Sequence, residues 1–255
     1  MNIATYYPRL IVFLSIITFL LSCTKTDTLK GLPSIDASSN KTTGSSANDF
    51  LSANNYTSVK VEIQFMPGFQ PDAASVNNLT GFLKNITNKP VGINVTQQVI
   101  SSGSKSVYTI TDIGALEKSN RNSYNSGKEL AVYILVVDGS YSDPNVLGIA
   151  FRNTSVCLFG KTIFDNSGGI GQASRTKVLT TVLQHEFGHL LGLVDLGSAM
   201  TINHKDVPHG NHCNNQQCLM YYATETTDLL GFLVTGNVPV LDNNCLDDLQ
   251  SNGGK

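Results

Sequence analysis

The chain has 255 residues, a formal net charge of −2, 41% hydrophobic residues and 14% charged residues. This is a globular composition, and it carries no basic excess that would point to nucleic acid as a partner. The length allows one good-sized domain, or one domain in two lobes.

At the N-terminus, Arg9 is followed by an uncharged apolar run from Leu10 to Leu21. The run is too short for a comfortable membrane span and suits the core of a signal peptide. It ends in Leu20-Leu21-Ser22-Cys23, which resembles a bacterial lipobox. The resemblance implies that residues 1–22 are removed and that Cys23 is lipidated. The protein would then be anchored to the cell envelope, at the outer membrane or cell surface, without spanning it. The plain alternative is a secretory signal that happens to end near a cysteine. Residues 23–57 are crowded with Ser, Thr, Asn, Asp, Gly and Lys and read as a flexible tether. The folded part is expected over 58–255.

Within it, Val59–Phe65 alternates as a strand, and Asp72–Thr87 places Val76, Leu79, Phe82, Leu83 and Ile86 on one helical side. Val91–Ile100 alternates again, and Thr111–Lys128 carries helix signals. Leu130–Asp138 is almost continuously apolar, as in a strand buried on both faces. Val146–Phe159 reads as one or two strands and Lys161–Phe164 as another. Ser174 is placed to cap a long helix reaching about Leu191. Alternating strands and helices give an α+β protein with an α/β-type mixed sheet in its N-terminal lobe, residues 58–192. Residues 193–255 lose periodicity and are expected to form an irregular lobe, with a short helix at Asn244–Leu249.

The chemistry sits in Leu183–Asp195, "LQHEFGHLLGLVD". His185 and His189 are one helical turn apart and share a face, so they can hold one metal ion. Glu186 lies about 100° round the helix, within reach of a water at an open coordination position. Zinc lowers the pKa of its bound water to about 7, and a glutamate can take the proton as the water attacks a carbonyl. Gly188 keeps bulk low between the ligands, and Gly192 permits a sharp turn.

His185-Glu-x-x-His189-x-x-Gly192 resembles the metzincin clan of zinc peptidases. The resemblance implies a sheet lobe, an active-site helix and a methionine turn beneath Zn²⁺. Cys218-Leu219-Met220-Tyr221-Tyr222 resembles that turn, with Met220 under the metal. Tyr222 matches the position from which the astacin and serralysin tyrosine steadies an oxyanion.

Two residues compete as third ligand. Asp195 completes H-E-x-x-H-x-x-G-x-x-D, or only shapes the turn. His212 opens His212-Cys213-x4-Cys218-x-Met220, a string that in archaemetzincins directly follows the glycine turn and supplies the ligand. Here it is displaced by residues 193–211, and the later C-x-x-C of that family is missing. His212 is preferred, with His204 and His209 as lesser candidates expected in exposed loops or beside the ligands. Of the cysteines after Cys23, Cys213 and Cys218 are expected to bridge; the competing reading is a structural metal site. The function expected is a zinc endopeptidase, monomeric, with Glu186 as general base. A peptide or protein substrate would lie along Gly148–Phe151. The alternative is an inactive surface-binding lipoprotein on the same scaffold.

Overall fold

The computed structural model describes residues 31–255, so the expected signal peptide and Cys23 lie outside the described residues. Among the described residues, no helix is long and apolar enough to cross a membrane. Strands β1 (Ser58–Phe65), β2 (Gly92–Val99), β4 (Glu129–Val137) and β7 (Ser155–Phe159) run parallel. Strand β6 (Gly148–Arg152) is antiparallel to β7 and forms one edge, in the order β2-β1-β4-β7-β6. A separate parallel pair joins β3 (Val107–Tyr108) to β5 (Ser140–Tyr141).

The apolar run of β4 places it in the centre of this mixed sheet, where both faces are covered. Because side chains alternate across a strand, Leu130, Val132, Ile134 and Val136 enter one core and Tyr133, Leu135 and Val137 the other. The first core is closed by Val76, Leu79 and Leu83 of α2 (Ala73–Ile86) and by Val178, Leu179 and Val182 of α5 (Arg175–Leu190). The second receives Tyr108 and Ile113, the latter from α3 (Ile110–Asn120). Local signals start these helices. The Asp72 side chain accepts from Ser75 N at 2.9 Å, and Thr109 and Asp112 form a reciprocal capping box. Ser174 stands at the N-terminus of α5, but its side chain makes no capping bond, contrary to expectation; its carbonyl opens the helix by accepting from Val178 N at 3.1 Å.

Three expectations need correction. Lys161–Phe164 is not a strand but part of α4 (Gly160–Asp165), where Ile163 enters the first core and Lys161 pairs with Asp165 at 2.6 Å. An apolar stretch this short fits either period, and packing decides it. The lobe after Gly192 contains, besides α7 (Asn243–Ser251), a helix α6 (Asp228–Thr235) that buries Leu229 and Leu233.

The third concerns the tether. Over residues 31–57 the chain is packed: α1 (Ala47–Leu51) buries Phe50 and Leu51, and Phe50 meets Phe187 of α5 edge-on at 6.3 Å. Lys89 Nζ donates to the carbonyls of Asp49 (2.6 Å), Ser52 (2.5 Å) and Tyr56 (2.7 Å). Asn153 N donates to Lys41 O at 3.0 Å, and Arg152 to Pro33 O at 2.7 Å. Arg152 itself is held by Glu117 at 2.8 Å in a fully buried network that also includes Arg121. A polar composition lowers hydrophobic burial but does not prevent a segment from docking through two anchors and backbone hydrogen bonds.

Candidate metal centre

Helix α5 is buried from Val178 to Leu190, so His185, Glu186 and His189 enter the interior together. The helix ends in a Schellman turn. Leu193 N donates to Gly188 O and Gly192 N to His189 O, each at 3.1 Å, with Gly192 at φ +78. A Cβ on Gly192 would meet Ser198 N at 2.5 Å, so the reversal has no room for a side chain. The chain then loops back. Asp206 N donates to His212 O at 2.7 Å and Asn214 N to His204 O at 2.9 Å, and this short ladder returns His212 to α5.

Cys213 N next bonds Met220 O at 2.8 Å, fixing the segment of Met220 to that of His212. Met220 packs against the helix at Gly188, where an added Cβ would lie 2.2 Å from the sulfur. A Cβ on Gly148, in β6, would lie 3.0 Å from Glu186 Oε1. The glycine therefore leaves space on the sheet side for that carboxylate.

Two of the three histidines are oriented by backbone carbonyls. His185 Nδ1 donates to Leu219 O and His212 Nδ1 to His209 O, each at 2.7 Å. With the proton on Nδ1, each Nε2 offers a lone pair. The Nε2 atoms of His185 and His189 are 3.1 Å apart, and His212 Nε2 is buried with no hydrogen bond. Burial, outweighing the hydrogen bond to Glu225, lowers the pKa of His185 and brings that of His189 down to about 3. Neutral imidazoles with lone pairs converging in a buried site fit a cation. Three imidazole nitrogens and a carboxylate are donors that zinc accepts.

That carboxylate is Glu225, which the sequence reading missed. Its Oε2 lies 3.7 Å from His185 Nε2, 3.8 Å from His189 Nε2 and 3.6 Å from His212 Nε2. The four donors lie within 4.8 Å of one another, and all four residues are buried. Nothing in "ATETTD" marks a ligand. The only signal is that Glu225 is the first acidic residue after the expected methionine turn.

The other candidates lie elsewhere. Asp195 sits at φ +69 with its side chain 61% exposed, paired with Lys205 at 3.2 Å. It is not brought to the histidines. Tyr222 lies flat on the ring of His209, centroids 3.6 Å apart and planes 8° apart. The side chain of the 3-10 turn Tyr222–Glu225 that enters the cluster is Glu225. His209 is half exposed and bonded to Asp206, whereas His204, expected in an exposed loop, is buried.

His204 belongs to a second cluster. Its Nδ1 lies 3.3 Å from Cys213 Sγ and its Nε2 2.8 Å from Asp248, and Cys218 Sγ is 3.6 Å from Cys245 Sγ. The expected Cys213–Cys218 bridge is absent, all four described cysteines being free. Instead Cys245, on α7, joins the group, with its sulfur 3.6 Å from that of Cys218. Hydrogen bonds from Cys213 and then Cys245 hold the Cys218 thiol well below its usual range. His204, Cys213, Asp242 and Cys245 offer donor atoms within 4.8 Å of one another, a set compatible with a structural metal.

No family model matches the chain, and no curated protein matches it. Among solved structures it is similar to archaemetzincin from Methanopyrus kandleri, at 15% identity and a TM-score of 0.47, covering 77% of this chain and 96% of that one. It is also similar to metalloproteinase-II from Bacteroides fragilis, at 15% identity and a TM-score of 0.43, covering 78% of this chain and 54% of that one.

Proposed function

We propose that the protein is a zinc-dependent endopeptidase. The observation that carries this reading is the convergence of three buried imidazoles, His185 and His189 from the helix that also carries Glu186, and His212 from the following lobe. Zinc held by these residues would supply Lewis acidity, activating a water and polarising a peptide carbonyl. The chain's own part is to orient and to move protons. The carbonyls of Leu219 and His209 fix two imidazoles with Nε2 inward. Glu186 accepts the proton of the attacking water and passes it to the leaving amine.

An extended peptide would add to the outer strand β6 near Gly148. Farther along that edge Thr43 Oγ1 already donates to Ala150 O at 3.1 Å, and before it Val146 and Leu147 pair with Thr226 and Glu225, so the peptide would meet the edge at Gly148 between these two contacts. In the cell, the reading places the protein on the envelope, held by lipid on Cys23.

The decisive variant is Glu186→Gln. It should keep its zinc and lose roughly 10²- to 10⁴-fold in hydrolysis of a denatured protein substrate, the usual contribution of a general base. Full activity with zinc retained would refute the mechanism.

Glu225 favours a second reading, a metal-holding surface module without peptidase activity, because structural zinc sites are closed by four protein ligands. One equivalent of tightly bound zinc, with no turnover of any denatured protein, would select it.

A further inference from the structure

We infer that Glu225 is a fourth protein ligand of the metal, so that the resting site is closed by a carboxylate supplied by the chain itself. The inference rests on the reading of His185, His189 and His212 as a metal site. Its basis is distance. Glu225 Oε2 is 3.6 to 3.8 Å from all three Nε2 atoms, nearly equidistant, and the Nε2 atoms of His185 and His189 are 3.1 Å apart. Edges of about 3.5 Å belong to a tetrahedron whose centre lies about 2.1 Å from its corners, the length of a zinc bond to imidazole or carboxylate. The carboxylate oxygen thus stands at the corner that a catalytic zinc leaves to water.

The backbone holds Glu225 there. Leu147 N donates to Glu225 O at 2.8 Å and Thr227 N to Asn145 O at 2.9 Å, and Val146 forms an antiparallel bridge with Thr226. The turn carrying Glu225 is therefore stitched to residues 145–147, which lead directly into edge strand β6. A peptide adding to β6 at Gly148 would arrive beside these bonds. The segment that closes the metal is thereby the one that the incoming substrate meets, and the Glu225 side chain has to leave its corner before water or a carbonyl can take it. As written, the device exchanges one ligand for another and needs no co-reactant.

Cobalt(II) substitution reads this without an activity assay. The full chain, Glu225→Gln and Glu225→Ala are loaded with Co²⁺, and visible spectra are recorded with and without azide. The parent should give a tetrahedral spectrum that azide leaves unchanged. Both variants should give shifted spectra that change on azide addition, and Glu225→Ala should bind zinc at least about tenfold more weakly, the lower end of losses for groups around a metal. Glu225→Gln keeps the side-chain shape, so a spectral change there is not a folding defect. If the parent spectrum already responds to azide and matches both variants, Glu225 is not a ligand. A parent chain whose histidine site takes up no cobalt, as that of His189→Ala should not, removes that metal site and the role of Glu225 with it.

Discussion

The sulfur of Met220 lies where a side chain on Gly188 would have to go: an added Cβ would be 2.2 Å from it. Gly188 stands between His185 and His189 on α5, so Met220 presses on the helix backbone directly beneath the two imidazoles. The neighbouring Leu219 carbonyl holds His185 Nδ1 at 2.7 Å. Backbone contact and hydrogen bond together lock the helix to the turn.

Gly188→Ala should therefore act against its own helix propensity. Alanine favours a helix interior by about 1 kcal/mol over glycine, but overpacking costs about 1–3 kcal/mol. Denaturant unfolding of the variant should show a net loss, and zinc affinity should fall as Leu219 shifts. Adding Met220→Ala should recover part of both. Unchanged stability and affinity in Gly188→Ala would mean that the contact does not fix the site.

His212→Ala and Asp195→Ala should behave oppositely. His212 Nε2 is buried in the cluster, while Asp195 is an exposed partner of Lys205 at 3.2 Å. Removing the imidazole should abolish tight zinc binding at the histidine site, one equivalent, in a competition assay with a coloured chelator. Removing the carboxylate should leave zinc affinity within twofold and stability within about 1 kcal/mol, the range of exposed ion pairs. Loss of zinc from Asp195→Ala would reverse this assignment.

Why Glu225 escaped the sequence reading, and why much else was legible, has one physical explanation. Periodic features survive translation into structure. The run of β4, the stripe of α2 and the i, i+4 histidines of α5 each follow from local geometry and were placed within a residue or two. The third and fourth members of the donor cluster, His212 and Glu225, depend on loop closure instead. His212 returns through a ladder at Lys205 and Cys213 that no period announces, although its cysteine-flanked string gave a clue. Glu225 is delivered by pairing with residues 145–147, a contact across roughly eighty positions with no trace in either local segment. Shortness explains the other two misses: α6, eight residues, and Lys161–Phe164, four, are apolar runs too brief to declare a period, and packing decides them.

The second cluster leads to a count. His204, Cys213 and Cys245 with Asp242 form a donor set separate from the histidine site, with Cys218 3.6 Å from Cys245. Protein purified under reducing conditions should carry two equivalents of zinc by elemental analysis. Cys245→Ser should lower this toward one and leave the cobalt spectrum of the histidine site recognisable. Because Cys245 is fully buried, the variant should in addition unfold at lower denaturant. A single equivalent in the parent, with a Cys218–Cys245 disulfide found by mass spectrometry, would show that the cluster is a bridge rather than a metal site.

Phe50 decides whether residues before β1 belong to the domain. Its ring is 1% exposed and meets Phe187, which lies between Glu186 and Gly188 on the active helix. Phe50→Ala should destabilise by about 3–5 kcal/mol, as truncation of a buried aromatic does, and part of that loss should appear as weaker zinc binding because the packing behind α5 is loosened. A polar surface neighbour on the same segment, Asn55→Ala, should change stability by less than about 0.5 kcal/mol. A tether would give a different result: both substitutions would be silent in denaturant unfolding, and limited proteolysis of the native protein would cleave at once within 31–57. Docking predicts protection there, since Lys89 holds three carbonyls of the segment and Asn153 a fourth. Early cleavage combined with an unaltered unfolding midpoint in Phe50→Ala would return these residues to the linker.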